Sequence, residues 1–236
     1  MRLFAVVLAL LACSCKADDK LVVFAAASLR DVFTALLQDF KHEVIFNFAG
    51  TQELRTQLEH GALADVFASA DPRHMDALVK AGKVSAPIVF ARNALVVVVP
   101  KDSALAAFEQ LPDVQRIVVG AAEVPAGRYT QAVLERAGED FRARVEAKVV
   151  SRELNVRQVL TKVALGEAEA GIVYRTDVTG AVKALPIPSE LNVVAEYPIA
   201  VTTGAPHAAL AKAWVELVLS DAGKRRLAEA GFLAPP

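Results

Sequence analysis

The chain has 236 residues, of which 54% are hydrophobic and only 6% aromatic, and it carries a formal charge of −1. Such a length holds one sizeable core or two modest ones. The near-balance of charge excludes a polyanion-binding surface of the kind nucleic acids require.

The first stretch, "MRLFAVVLALLACSC", reads as an export signal. Arg2 gives a positive start, and Leu3 to Ala12 form an apolar run too short to span a bilayer. "LLAC" (10–13) resembles a bacterial lipobox, which would make Cys13 the lipidated first residue; cleavage after Ser14 or Ala17 is the alternative. Residues 1–19 are thus expected to be signal and linker. Cys13 and Cys15 are the only cysteines. The rest of the chain therefore has no disulfide, thiolate nucleophile or cysteine metal ligand.

From residue 20 onward, strand-like and helix-like stretches alternate. "KLVVFAAA" (20–27) predicts a strand, and 28–43 a helix with Val32, Phe33, Leu36, Leu37 and Phe40 on one face. A strand over 44–50 leads to a helix over 51–61 that Gly61 stops. Next come a short strand (64–70) and a helix (71–82) with Pro72 at its first position. The consecutive apolar residues of 94–100 predict a strand buried on both faces.

Further on, helices are predicted at 103–111, around 127–137, at 155–166 and at 175–182. Strands fall at 116–120, near 147–151 and at 170–174. Residues 191–202 read as extended, and 206–231 as a helix broken near Asp221. This alternation predicts parallel sheets covered by helices. About ten strands exceed what one compact domain usually holds, which points to two lobes. "LVVVVPK" and "AEYPIAV" are expected to cross between them as paired hinge strands. Lobe I would comprise 20–97 and 198–236, and lobe II 98–197.

Several strand-to-helix junctions share a design. Ser28 stands where an N-cap belongs, with Asp31 three residues on. Thr51 follows Gly50, which permits close backbone approach. Asn155 caps the helix that begins at Val156, and Pro125 and Gly127 flank Ala126 in "VPAGRY" (124–129). The first turn of a helix has unpaired N–H groups and the positive end of the helix dipole, so it attracts anions. Each residue alone reads as an ordinary cap. In open α/β sheets, however, ligands lie beyond the carboxyl ends of strands, where such turns converge. Together these junctions point to an exported two-lobed binder of a small anion.

The same residues carry a resemblance. "VVFAAASLRDVF", "FNFAGTQELRTQLEHGALADVFASAD", "NALVVVVPK", "VPAGRY", "LNVRQVLTKVALGEAEAGIVY" and "EYPIAV" resemble, in order and spacing, the molybdate-binding proteins of bacterial ABC importers. The resemblance runs from about residue 20 to the C-terminus. It implies a type II periplasmic-binding-protein fold, with two α/β lobes closing on an oxyanion. By the same resemblance, Ser28 offers a hydroxyl and an N–H, Thr51 a hydroxyl, Ala126 and Val156 backbone N–H groups, and Tyr174 the hydroxyl that closes the site. The chain departs from the family pattern at Leu63 (often proline), at Gly50 before Thr51 (often serine before serine) and at Asn155 (often aspartate).

The junctions and the resemblance together predict an exported, non-enzymatic solute-binding protein for molybdate, and also tungstate. It would be periplasmic or lipid-anchored through Cys13, monomeric and without a cofactor, and would deliver its ion to an ABC permease with no nucleic-acid partner. A tetrahedral dianion has only acceptor oxygens, so its site must supply donors. None of the five positions is acidic, which disfavours protonated phosphate. Sulfate or another oxyanion on the same fold is the rival reading.

A hydrolase using Ser28 is more distant, because "AAASLR" lacks the glycines of a nucleophile elbow. A ligand-sensing regulatory domain is disfavoured because an export signal, and no helix-turn-helix, precedes the body. His42, His60, His74 and His207 read as solvated surface residues without metal spacing. Asp65 and Asp71 read as caps or turn residues, and Arg128, Arg157 and Arg175 as solvated rim charges. Trp214 reads as core.

Overall fold

The computed structural model describes residues 20–236; the expected export segment and Cys13 lie outside the described residues. The strands form two five-stranded sheets. In the first, β1 (Leu21–Ala26) lies between β2 (Val44–Ala49) and β3 (Val66–Ala68) and parallel to both, while β10 (Ala195–Val201) runs antiparallel between β3 and β4 (Ile88–Asn93). In the second, β6 (Ile117–Gly120) lies between and parallel to β7 (Val149–Glu153) and β8 (Ala170–Tyr174). There β5 (Leu95–Pro100) runs antiparallel between β8 and β9 (Val182–Pro186). One topology is thus used twice, once in each lobe.

Parallel neighbours need crossover connections, and helices supply them. α1 (Arg30–Leu36), α2 (Thr51–Glu59) and α3 (Pro72–Lys80) follow the first three strands. α4 (Pro125–Arg136), α5 (Glu139–Glu146) and α6 (Val156–Ala164) serve the second sheet. The local chemistry is what helix starts require: Asp71 accepts from Arg73 N at 2.7 Å, with Pro72 in the first turn. The terminal helix breaks into α7 (Ala208–Leu219) and α8 (Asp221–Glu229), because Ser220 turns to cap the second piece through Gly223 N at 3.1 Å. Trp214 is fully buried, edge-on to Phe33 and Phe40 at 5.5 and 5.2 Å, which bears out its reading as core.

Several segments differ from the sequence reading, among them α5, which forms where no element is predicted. Residues 103–111 form no α-helix; Ser103 Oγ accepts from Leu105 N, a local bond that competes with helix, and a 3₁₀ turn follows at Phe108–Asp113. In 175–182 the expected helix is a 3₁₀ turn, Arg175–Asp177, leading into edge strand β9. Pairing with β5 overrides the local pattern there, and β4 was not anticipated.

The expected hinge strands each belong to a single sheet. The chain changes sheet at Ala94, between β4 and β5, and returns between β9 and β10. The boundaries drawn after residues 97 and 197 therefore fall inside strands, because a continuous apolar run does not mark where pairing changes sheet. Asn192 ties the two crossings together. Its Nδ2 donates to Leu95 O at 2.9 Å, and its Oδ1 accepts from Leu95 N at 3.2 Å.

Candidate functional site

The carboxyl ends of β1, β2 and β3 face those of β6, β7 and β8 across one small cavity. Ser28, Thr51, Ala126, Val156 and Tyr174 all line it. The structure thus brings together all five positions singled out from the sequence. It does so by aiming the starts of α2, α4 and α6, and the turn that precedes α1, at one point.

Ser28 is not the cap it was expected to be. It sits in a 3₁₀ turn, Ala27–Leu29, whose start has no side-chain cap. Its Oγ lies 3.0 Å from Tyr197 Oη instead, and both residues are buried. Asn93 Nδ2 donates to the same Tyr197 oxygen at 3.4 Å. Either hydroxyl can donate in this contact; when Tyr197 gives its proton to Ser28 Oγ, the Ser28 proton is left to serve the cavity. Ala25, Ala26 and Ala27 are buried around this turn and keep it slim.

Thr51 opens α2 behind Gly50, whose N–H is taken by Glu53 Oε2 at 3.0 Å. Thr51 Oγ1 accepts from Ala70 N at 3.2 Å, so its own proton is uncommitted. Gly127 sets α4 in place. A Cβ there would lie 2.0 Å from Ala121 O and 2.4 Å from Gly120 O, so only glycine lets the first turn close on the end of β6. That approach carries the Ala126 N–H to the cavity wall. Asn155 caps α6 as expected, accepting from Gln158 N at 3.1 Å, and presents Val156.

Tyr174 ends β8 with 1% of its surface exposed, and its hydroxyl has no hydrogen-bond partner within the protein. Burial pushes its pKa well above the ordinary phenol value, so it stays a neutral donor. A buried unpaired hydroxyl is costly, and here it faces a cavity rimmed by free N–H groups.

The cavity lining is uncharged, and the charged groups stand behind it. Arg128 Nε lies 2.7 Å from Asp71 Oδ2. Arg157 Nη2 lies 2.7 Å from Asp31 Oδ2, and its Nε is 2.7 Å from Asp177 Oδ1. The contact with Asp177 is an off-axis charge pair, since neither atom meets hydrogen-bond geometry there. Full burial pushes Asp177 up to about 7 against the pull of Arg157.

Arg128 and Arg157 are thus paired, not free rim charges; Arg175 is exposed, as expected. His74 is also corrected. It is buried, its Nε2 lies 3.0 Å from Glu123 O, and desolvation lowers its pKa. His207 pairs with buried Asp65. No cluster of metal-ligating side chains occurs among the described residues.

Residues 21–233 match the family model of the bacterial extracellular solute-binding proteins. The molybdate-binding protein ModA of Mycobacterium tuberculosis is 40% identical over 228 residues, covering 91% of this chain and 85% of that one. The chain belongs to that solute-binding family. The fold agrees. The periplasmic molybdate-binding protein of Azotobacter vinelandii superposes with a TM-score of 0.83 at 19% identity, covering 92% of this chain and all of the other. The sulfate-binding protein SubI of M. tuberculosis gives 0.78 at 18%, with 90% and 86% covered. At those identities both likenesses speak to the type II fold alone.

For a solute-binding protein of this family, the sequence reading missed the residues behind the cavity wall. Tyr197 stands within "EYPIAV", but nothing local marks it as the partner of Ser28. The arginines directly after Ala126–Gly127 and Val156 were visible, as were Asp71 and Asp31, but not that they pair.

Proposed function

We propose that this chain captures molybdate outside the cytoplasm and delivers it to the membrane permease of an ABC importer. The observation that carries the reading is the uncharged cavity: several helix starts, two side-chain protons and the unpaired Tyr174 hydroxyl are offered with no carboxylate among its lining side chains. A tetrahedral dianion needs that set, because all its oxygens accept. Each bond to the anion is charge-assisted and contributes about 1.5–3 kcal/mol, so a handful suffices without a buried cation. The 40% identical relative is itself named a molybdate-binding protein.

Ser28, Thr51, Ala126, Val156 and Tyr174 are the proposed ligand contacts. Tungstate, of the same shape and charge, is a second proposed ligand. The lobes close about Ala94 and the return segment before β10, and the closed form is what the permease recognises. The protein acts as a monomer, anchored to the membrane through a lipid on Cys13. It makes and breaks no bond.

Thermal melts with molybdate, tungstate, sulfate and phosphate test the reading. A ligand at 100 times its dissociation constant raises stability by about 2.7 kcal/mol. Molybdate is expected to raise the melting temperature. A rise with sulfate or phosphate and none with molybdate would reject the assignment.

A further inference from the structure

We propose that Arg128 and Arg157 are closure clamps, each reaching from the first turn of a ligand-facing helix of the second lobe to a carboxylate of the first. The inference rests on the closure reading above and deepens it by naming the groups that hold the lobes shut.

Their placement carries the argument. Arg128 stands two residues after Ala126 at the start of α4, and Arg157 one residue after Val156 at the start of α6. In a helix, neighbours so close in sequence point to different faces. When the backbone N–H faces the anion, the arginine is turned aside to the opposing lobe. Arg128 there meets Asp71, the fully buried cap of α3, at 2.7 Å. Arg157 meets Asp31, in the first turn of α1, also at 2.7 Å. A neutral contact accompanies each pair: His74 Nε2 to Glu123 O at 3.0 Å beside the first, and Gln52 Nε2 to Leu154 O at 2.7 Å beside the second.

Three of the four clamp partners are held ready within their own lobe. Arg157 leans on Asp177, and the Arg128 guanidinium lies 4.3 Å over the Tyr129 ring. Asp71 is fixed by Arg73 N at 2.7 Å. Closure then joins oriented partners and loses little side-chain entropy. The design favours the closed state with cations while keeping them out of the anion's cage.

The test uses Arg128→Gln and the mostly exposed Asp31→Asn, which leaves the Arg157–Asp177 pair intact. Molybdate release is followed by stopped flow, ligand-free and molybdate-loaded melts are recorded, and the radius of gyration is measured by small-angle scattering in both states. Release is expected to quicken about tenfold in Arg128→Gln and about threefold in Asp31→Asn. Ligand-free melts should stay at the wild-type value, and the molybdate-loaded envelope should expand. Arg128→Lys should recover part of the slow release. Wild-type release and scattering in both variants would overturn the clamp, as would melts that fall equally with and without molybdate, which would show a role in the fold. If the wild type does not respond to molybdate, the ligand assignment fails by itself. The scattering of the variants loaded with whichever of tungstate, sulfate or phosphate raises the wild-type melt then decides the clamp: expansion relative to the loaded wild type supports it and an unchanged envelope rejects it.

Discussion

Ser28 Oγ and Tyr197 Oη, 169 positions apart in the chain, meet at 3.0 Å in the buried wall of the cavity. The contact couples two hydroxyl protons. Asn93 donates to Tyr197, and an anion in front of Ser28 favours the arrangement in which Tyr197 gives to the serine and the serine gives to the anion.

Removing either member should therefore weaken molybdate binding, by different amounts. Ser28→Ala deletes a charge-assisted bond and is expected to lose about 1.5–3 kcal/mol of affinity. Tyr197→Phe leaves the serine proton free to point elsewhere and should lose less, about 0.5–1.5 kcal/mol. Isothermal titration calorimetry checks both. Equal losses would show that the relay has no directing role.

Tyr174→Phe should separate binding from stability. The wild-type hydroxyl is buried without a protein partner, so deleting it is expected to raise ligand-free stability, by up to about 1 kcal/mol. Molybdate affinity should fall by about 1.5–3 kcal/mol. Urea unfolding beside calorimetry reads the two effects, and a loss of stability without loss of affinity would contradict the assignment.

Gly50→Ala should obstruct closure and leave each lobe folded. Gly50 has φ −60° and ψ 138°, a conformation open to any residue, yet a Cβ would lie 2.3 Å from Leu154 O of the other lobe. Overpacking of this kind costs about 1–3 kcal/mol, and here it is expected in the molybdate dissociation constant. Gly127→Ala collides with the backbone of its own lobe and should lower the melting temperature itself. A Gly50→Ala protein that binds as the wild type does would reject this account.

Stability should also depend on pH through Asp177. Arg157 on α6, Asp31 on α1, the Tyr174 backbone and Tyr197 on β10 surround it, and burial raises it from 3.8 to about 7. The folded state then holds a proton that the unfolded chain releases near 3.8. Its contribution is complete below that value and is lost as pH rises through about 7. His74 works the other way: its pKa is lowered by burial, so its contribution is gained as pH rises toward 6.5. The difference between wild type and Asp177→Asn, measured by urea unfolding from pH 4 to 8, isolates the first effect. Wild-type stability should decline relative to the variant across that window, and a constant difference would contradict the assigned burial.

The sequence alone determined the alternation of strands and helices and the chemistry of each junction. Both are local. An N-cap such as Asn155, a proline at a helix start, or a run of valines acts within a few residues of itself. Ser28, Thr51, Ala126 and Val156 were legible for the same reason, since the turn into a helix exposes its N–H groups wherever it stands; the family motifs identified which turns matter, and they alone pointed to Tyr174 at the end of its strand. Tertiary structure decided what those junctions meet. Arg128 and Asp71 are 57 positions apart, Arg157 and Asp31 are 126, and the chain changes sheet at Ala94, between two apolar runs with only Arg92 and Asn93 to separate them. An arginine reads the same whether solvated or paired, and a serine the same whether capping its own helix or bonded to a distant tyrosine. The partner is chosen when two sheets turn their strand ends toward one another, and that choice depends on the packing of the whole chain.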